Sequence, residues 1–178
     1  LWIKHENHTP TGAFKVRGAV TYIDYLTRTQ PNLRGICTAT RGNHGQGQAR
    51  AAMAAGLIAK IYVPEGNSSE KNAAMTAFGG EVIVHGTDFD AARQEAMRVG
   101  ATEGLAPVPP FHSEIMRGVA SYALEFFTAA PELDTVYVPI GCGSGICSVI
   151  TVRDVLGLKT KVVGVVSTEA QAAKLSFE

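Results

Sequence analysis

A lysine lies at the start of a predicted helix in the segment from Thr9 to Ala19. Pro10 and Gly12 indicate a turn, and apolar residues recur at helical spacing after it, so Lys15 falls in the first helical turn. The positive end of the helix dipole disfavours a cation there and favours acids or phosphates. Lys15 is therefore either an ordinary solvated surface residue or a group with a chemical role, and its position alone leaves both interpretations open.

A glycine-rich loop from Pro139 to Ile146 follows an apolar strand pattern and opens another predicted helix. Its glycines let the backbone approach a ligand, its free amides suit an anion such as phosphate, and Ser144 adds a hydroxyl. The loop lacks the Gly-Lys-Ser/Thr ending of a P-loop and the full Gly-x-Gly-x-x-Gly pattern. A tight turn whose glycines only permit close packing explains the same spacing, so both alternatives stay open.

A second glycine-rich corner runs from Thr40 to Gln46 and places Asn43 and His44 at a helix start. An amide, an imidazole and several backbone amides at one point can hold a carboxylate or a polar substituent of a ring. The alternative is that Asn43 only caps the helix, since asparagine is among the preferred capping residues.

The other histidines and the cysteines do not form a metal-site pattern, and no metal is expected. His5 and His8 have no third ligand nearby in the sequence, and we treat His85 and His112 as structural. Three cysteines without Cys-x-x-Cys spacing argue against a disulfide framework or a zinc site, so we expect reduced thiols.

Composition excludes several classes of function. Sixteen basic residues balance sixteen acidic ones among 178 residues, so no net charge favours nucleic acid or an acidic membrane surface. No apolar run approaches the ~20 residues of a membrane helix, and the first residues do not resemble a signal peptide. We therefore expect a cytoplasmic protein that binds neither nucleic acid nor membrane.

The predicted elements alternate between strands and helices. Apolar or β-branched strand patterns occupy residues 35–40, 60–64, 81–84, 105–108, 135–138 and 161–166, with helical patterns between them. This alternation predicts an α/β fold with parallel sheets and helices on both faces. Ligands of such sheets bind at the carboxyl ends of strands, where both glycine-rich corners fall.

Both ends of the chain indicate a piece of a longer protein. Residues 2–6 read as a strand with no preceding connection, and residues 175–178 stop inside an apparent helix. We expect such a fragment to have weak or no activity, because an incomplete larger domain leaves sheet edges unpaired.

Taken together, three motifs resemble the fold-type II pyridoxal-phosphate enzymes, and among them the threonine and serine dehydratase group that includes serine racemase. Residues 11–19 resemble the family's Schiff-base segment, residues 42–46 its asparagine loop, and residues 141–144 its phosphate loop. The motifs occur in the family's order, and the similarity extends over the whole chain.

The resemblance implies a role for each residue of the motifs. Lys15 would form the Schiff base with pyridoxal 5'-phosphate, Phe14 would pack beside its ring, and Asn43 would bond the ring hydroxyl. The phosphate would be held by Gly141, Cys142, Gly143 and Ser144. The substrate carboxylate would be bound by Arg41, Gly42, Asn43 and His44.

The implied reaction is β-elimination from a hydroxy amino acid, threonine or serine, to a 2-oxo acid and ammonia, with Lys15 as the Cα base. A 3-hydroxyaspartate dehydratase or a β-replacement synthase of the same fold is an alternative, and a non-catalytic anion- or nucleotide-binding module is another. Arg41 stands where the racemases have a serine acid, which disfavours racemisation because arginine is a poor proton relay. Cys142 and Ser144 replace two glycines of the family's usual loop, and residues 118–121 lack its glutamine and glycine.

The resemblance also implies two domains. Residues 1–34 and 113–178 would belong to the larger, cofactor-binding domain, and residues 35–112 would form the smaller, mobile one. The full-length protein would be a homo-oligomer. The group facing the pyridine nitrogen and any regulatory domain would lie beyond Glu178.

Overall fold

The computed structural model describes all residues from Leu1 to Glu178. Six strands occur in chain order: β1 (Gly35–Ala39), β2 (Ile58–Val63), β3 (Glu81–Val84), β4 (Ala106–Pro107), β5 (Thr135–Pro139) and β6 (Lys161–Val165). Seven helices accompany them: α1 (Lys15–Thr29), α2 (Asn43–Ala54), α3 (Ser69–Ala77), α4 (Phe89–Glu103), α5 (Ser113–Ala129), α6 (Ser144–Val155) and α7 (Ala172–Phe177). The order is that of the predicted alternation.

Two parallel sheets form from these strands. Four strands are arranged in the order β3-β2-β1-β4, and β5 pairs with β6 in a second sheet. All pairings are parallel, which confirms the predicted α/β class. In the larger sheet the chain order reverses between β1 and β4, so the corner after β1 lies where ligands of open α/β sheets bind.

The contacts divide the chain into two compact units. Residues 6–110 form one, here called the Lys15 unit, and residues 1–5 with 111–178 form the other, here called the glycine-loop unit. Residues 6–34 therefore pack with residues 35–110, although the family resemblance implies that they belong to the larger domain. The reason is that α1 crosses α2 closely: a Cβ at Gly47 would lie 3.2 Å from the Ala19 Cβ. The division into a larger and a mobile domain stays a prediction.

Helices cover both faces of the sheet in the Lys15 unit. On one face, Cys37 and Tyr62 pack against buried residues of α4. On the other face, Ile61 packs against Ala49 of α2 and Met75 of α3. Every residue of β1 is buried, as expected for a central strand of a parallel sheet.

The glycine-loop unit covers one face of its sheet. Val136 and Val138 of β5 pack against Phe127 of α5 and Val149 of α6. Between these two valines, Tyr137 points to the opposite face and is 70% exposed.

The prediction of a strand at residues 2–6 is wrong. These residues have no strand partner, and Trp2 and Ile3 are exposed. Without a partner to accept its hydrogen bonds, an extended segment does not become part of a sheet. An ion pair of 2.8 Å between Lys4 Nζ and Glu125 Oε2 connects this segment to α5. None of the seven helices has the length and apolar character required to cross a membrane.

Candidate functional site

A hydrogen-bonded turn sets the direction in which α1 begins. The Gly12 amide donates to the Thr9 carbonyl at 2.9 Å, and the Ala13 amide donates to Thr9 Oγ1 at 2.9 Å. Gly12 has φ +66°, a left-handed conformation that glycine adopts without strain. The Thr9 hydroxyl thus serves the turn, and Phe14 is the N-cap of α1.

Lys15 is the first residue of α1, in the predicted first helical turn, and it lies beside an aromatic ring. The residue is half-buried, and Nζ lies 4.9 Å from the centroid of the Phe14 ring. The first turn of α1 contains no acidic residue that would neutralise an ammonium group locally. The protein therefore holds an amine at the positive end of a helix, partly shielded from water.

An ion pair that the sequence analysis missed connects α1 to the preceding segment. Arg17 Nε lies 2.7 Å from Glu6 Oε2, and Arg17 Nη2 lies 3.1 Å from Glu6 Oε1. The side chains are only 22% and 13% exposed, respectively, so solvent screens this two-pronged contact less than a surface pair. The two residues are eleven positions apart, a separation that no local pattern predicts.

The corner after β1 is organised by a buried threonine. Thr40 Oγ1 accepts hydrogen bonds from the Gly42 amide at 3.1 Å and the Gly45 amide at 3.3 Å. A Cβ at Gly45 would lie 2.5 Å from Thr40 Cγ2, so a larger residue does not fit without displacement. Sequence spacing identified the corner but not the role of Thr40.

Asn43 does not cap α2, which contradicts the purely structural alternative. Gly42 is the N-cap, Asn43 is the first helical residue, and no side chain caps this end. Asn43 is exposed, so its amide is presented at the surface of the corner. Arg41 is also exposed, in agreement with the solvent-facing position that arginine favours.

His44 is the most perturbed titratable group at this corner. Its Nε2 is buried and has no hydrogen-bond partner. Burial, followed by the charge of Lys15, lowers the pKa of His44 to about 4. The imidazole is therefore neutral at pH 7. Lys15 lies close enough for its positive charge to disfavour protonation of His44.

The glycine loop forms the start of α6 in the other unit. Gly143 is the N-cap with φ +91°, and no side chain caps the helix. A Cβ built on Gly141 meets no atom within 4 Å, so open space borders the backbone there. Gly141 and Cys142 are exposed, whereas Ser144 is completely buried. A helix start without a side-chain cap and with open space beside its backbone suits an anion.

Side chains of α5 and α6 form hydrogen bonds to backbone carbonyls next to the glycine loop. Ser148 Oγ lies 2.7 Å from the Ser144 carbonyl oxygen and 3.0 Å from that of Met116. The Tyr122 hydroxyl donates to the Gly145 carbonyl at 3.2 Å. These bonds fix the first turn of α6 against α5 and leave the loop's outer surface open.

The predicted site residues are divided between the two units. The Lys15 unit contains Phe14, Lys15, Arg41, Gly42, Asn43 and His44, and the glycine-loop unit contains residues 141–144. Within the Lys15 unit, the structure brings Lys15 together with Phe14 and into electrostatic range of His44.

Comparison with known proteins gives one consistent result. A family model described as pyridoxal-phosphate dependent enzyme matches residues 1–178. The chain is 34% identical to the biosynthetic L-threonine dehydratase of Haemophilus influenzae over 100% of its own length, which is 35% of that protein. It is 31% identical to the L-threonine ammonia-lyase of Geobacter sulfurreducens over 100% of the chain and 44% of that protein.

Solved structures agree with these sequence relatives. The processed form of threonine deaminase isoform 2 from Solanum lycopersicum superposes with a TM-score of 0.88 at 31% identity, covering 97% of this chain and 50% of that one. Maize serine racemase superposes with a TM-score of 0.89 at 27% identity, covering 96% and 52%, respectively. The chain thus spans half or less of the length of the dehydratases and the deaminase that it matches.

Proposed function

The chain belongs to the family of pyridoxal-phosphate-dependent enzymes, and from this premise we propose that Lys15 is the residue that links covalently to the cofactor. The observation that carries the proposal is the half-buried amine at the start of α1, with no acidic residue in that helical turn. A covalent link that leaves the Lys15 nitrogen uncharged would remove a positive charge from a position where the helix dipole disfavours it.

The glycine loop is the proposed phosphate site. Residues Gly141 to Ser144 form an uncapped helix N-terminus and open space borders Gly141, which suits an anion such as a phosphate group. Because Ser144 is buried, its proposed contribution to this site is its backbone amide rather than its hydroxyl.

The corner after β1 is proposed to bind the cofactor ring and the substrate. Asn43, which is exposed and does not cap its helix, would hydrogen-bond the ring hydroxyl, and Phe14 would pack beside the ring. The substrate carboxylate would lie at the start of α2 against Arg41, Gly42, Asn43 and His44. An uncapped helix start favours a carboxylate through the helix dipole.

The proposed reaction is the dehydration and deamination of threonine or serine. Bound pyridoxal phosphate supplies an electron sink for the negative charge that develops at the substrate Cα. Lys15, as the neutral amine, would accept the Cα proton, and the β-hydroxyl would take up a proton and leave as water. Addition of water to the resulting enamine would then release a 2-oxo acid and ammonia. The threonine dehydratases among the relatives support threonine as the first substrate to test.

An exposed arginine favours a second candidate substrate. Arg41 is exposed and pairs with no acidic residue of the chain, so it can instead pair with a second substrate carboxylate. A 3-hydroxyaspartate would offer that carboxylate. Assays of 2-oxobutanoate, pyruvate and oxaloacetate from the matched substrates distinguish the two candidates.

Borohydride trapping tests the proposed role of Lys15. The protein is incubated with pyridoxal phosphate, reduced and digested, and the modified peptide is identified by mass spectrometry. We expect the label on Lys15, its loss in Lys15→Ala, and no change in the control variant Lys174→Ala, which alters an exposed lysine of α7. A label spread over several lysines, or one that survives in Lys15→Ala, would contradict the proposal.

Three wider expectations accompany this function. The full-length protein is proposed to be a cytoplasmic homo-oligomer that uses a small amino-acid substrate, and residues 35–112 are proposed to move as the smaller domain. Light scattering of the full-length protein tests the oligomeric state, and hydrogen exchange with and without substrate tests the movement of residues 35–112.

A further inference from the structure

Two cysteines occupy paired positions at the start of α6. Gly143 is the N-cap and Ser144 is the first helical residue, so Cys142 directly precedes the cap and Cys147 is the fourth residue of the helix. Side chains at these two positions commonly contact each other across the helix entry, an arrangement known as the hydrophobic staple. Here both staple positions carry a thiol.

The structure places the thiol of Cys147 beside the loop. A Cβ built on Gly143 would lie 3.9 Å from Cys147 Sγ, so this sulfur lies next to the cap residue that follows Cys142. Cys142 is exposed and Cys147 is partly exposed, so reagents can reach both.

The third cysteine provides an internal contrast. Cys37 is buried in β1, and its thiol donates to the Ala96 carbonyl at 2.6 Å. Burial raises the pKa of Cys37 to about 11, which keeps the thiol protonated and unreactive at neutral pH.

We propose that Cys142 and Cys147 are a modification site, a pair of thiols that oxidises to an intramolecular disulfide and thereby closes the glycine loop. Hydrogen peroxide is the oxidant. One thiolate attacks the peroxide, whose O–O bond breaks to leave a sulfenic acid and water. The second thiol displaces the hydroxyl as another water while the S–S bond forms. Two thiols lose two electrons and two protons, and one peroxide becomes two waters.

Bond formation would alter the loop because disulfide geometry is restrictive. The Cα atoms of a disulfide lie about 4.4–6.8 Å apart, so the bond would fix residue 142 against the first turn of α6. Cys142 is in the middle of the segment whose amides are proposed to bind phosphate, so an oxidised loop presents fewer of them. This consequence rests on the proposed function, whereas the disulfide itself does not.

Mass spectrometry tests the disulfide. The folded protein is treated with hydrogen peroxide and alkylated, and its peptides are mapped. We expect a linked peptide pair containing Cys142 and Cys147, with two hydrogens fewer than the reduced pair and with Cys37 still a thiol. Cys142→Ser and Cys147→Ser should each abolish the link. The proposal is overturned if both cysteines are alkylated separately after oxidation, or if they pair only between molecules.

A binding measurement tests the effect on the loop. Oxidised wild-type protein should bind pyridoxal phosphate about tenfold more weakly than reduced protein, the loss expected for one hydrogen bond to a charged group. Dithiothreitol should restore the affinity, and Cys147→Ser should show no peroxide effect. Unchanged affinity after the disulfide has formed overturns the closure of the loop but leaves the disulfide established. Failure of reduced protein to bind the cofactor at all would instead contradict the proposed function.

Discussion

The Lys15 unit and the glycine-loop unit differ in how they cover their sheets and in what they offer a ligand. The four-stranded sheet of the Lys15 unit has helices on both faces, and its central strand is completely buried. The two-stranded sheet of the glycine-loop unit has one covered face, and Tyr137 is exposed on the other. The Lys15 unit therefore has the more extensive core.

The groups available for chemistry differ in the same way. The Lys15 unit presents three side-chain groups: the amine of Lys15, the amide of Asn43 and the neutral imidazole of His44. Buried hydrogen bonds to Thr40 hold the corner that carries Asn43 and His44. The glycine-loop unit presents backbone amides, for which small residues and an uncapped helix start are sufficient. The comparison indicates that one unit supplies the proposed reactive groups and the other a proposed binding surface.

The largest expected effect comes from removing the proposed reactive group. Lys15→Ala in the full-length protein should lower dehydratase activity by about 10³-fold, because the variant lacks both the linkage to the cofactor and the Cα base. Formation of 2-oxobutanoate from threonine measures this loss. Gly141→Ala, a change in the other unit, should act mainly through a weaker affinity for the cofactor. Equal losses of kcat in Lys15→Ala and Gly141→Ala would contradict the proposal that one unit supplies the reactive groups and the other binds the cofactor.

The stability of the Lys15 unit should fall in acid because of His44. The folded pKa, about 4, is below the usual value of 6.5, so between these values the unfolded chain binds a proton that the folded chain excludes. Stability is therefore fully retained above pH 6.5 and decreases towards pH 4, by about 3 kcal/mol over the whole window. Urea unfolding at several pH values measures this slope.

The variant His44→Gln is the control for the acid effect. It removes the titrating group while keeping a polar side chain, so its unfolding free energy should decrease less steeply between pH 6.5 and pH 4. Identical slopes for the wild-type protein and His44→Gln would show that His44 is not protonated on unfolding in this range.

A pair of glycine substitutions compares packing in the two units directly. Gly45→Ala puts a methyl group 2.5 Å from Thr40 Cγ2 and Met75 Sδ, and should destabilise the protein by about 2 kcal/mol. Gly141→Ala puts the same group into open space and should change stability by less than about 0.5 kcal/mol. Denaturant midpoints measure both values, and equal values would mean that the corner after β1 adjusts as freely as the loop.

The smallest expected difference between the two units concerns the hydroxyl that supports each corner. Thr40→Val removes the acceptor of two amides and should cost about 1.5 kcal/mol, whereas Ser148→Ala removes one donor beside two carbonyls and should cost about 1 kcal/mol. Amide hydrogen exchange at Gly42 and Gly45 should become faster in Thr40→Val alone. If exchange there is unaffected, Thr40 does not organise the corner.

Much of the fold could be predicted because its signals are local. The buried run at β1 and the glycine-rich corners after β1 and β5 depend on neighbouring residues, and the structure confirms them. The segment at residues 2–6 carried the same kind of signal, yet it forms no strand, since pairing requires a partner that local sequence does not reveal.

The sequence by itself determined the alternation of strands and helices, the two glycine-rich corners and the place of Lys15 at a helix start, because each depends on residues close together in the chain. Only the tertiary structure decided that Lys15 is half-buried, that His44 is neutral, that Glu6 pairs with Arg17 and that Asn43 does not cap its helix. Burial and long-range pairing arise when segments that are distant in the chain pack together and exclude water. The spacing of residues along the chain does not show which distant segments will do so.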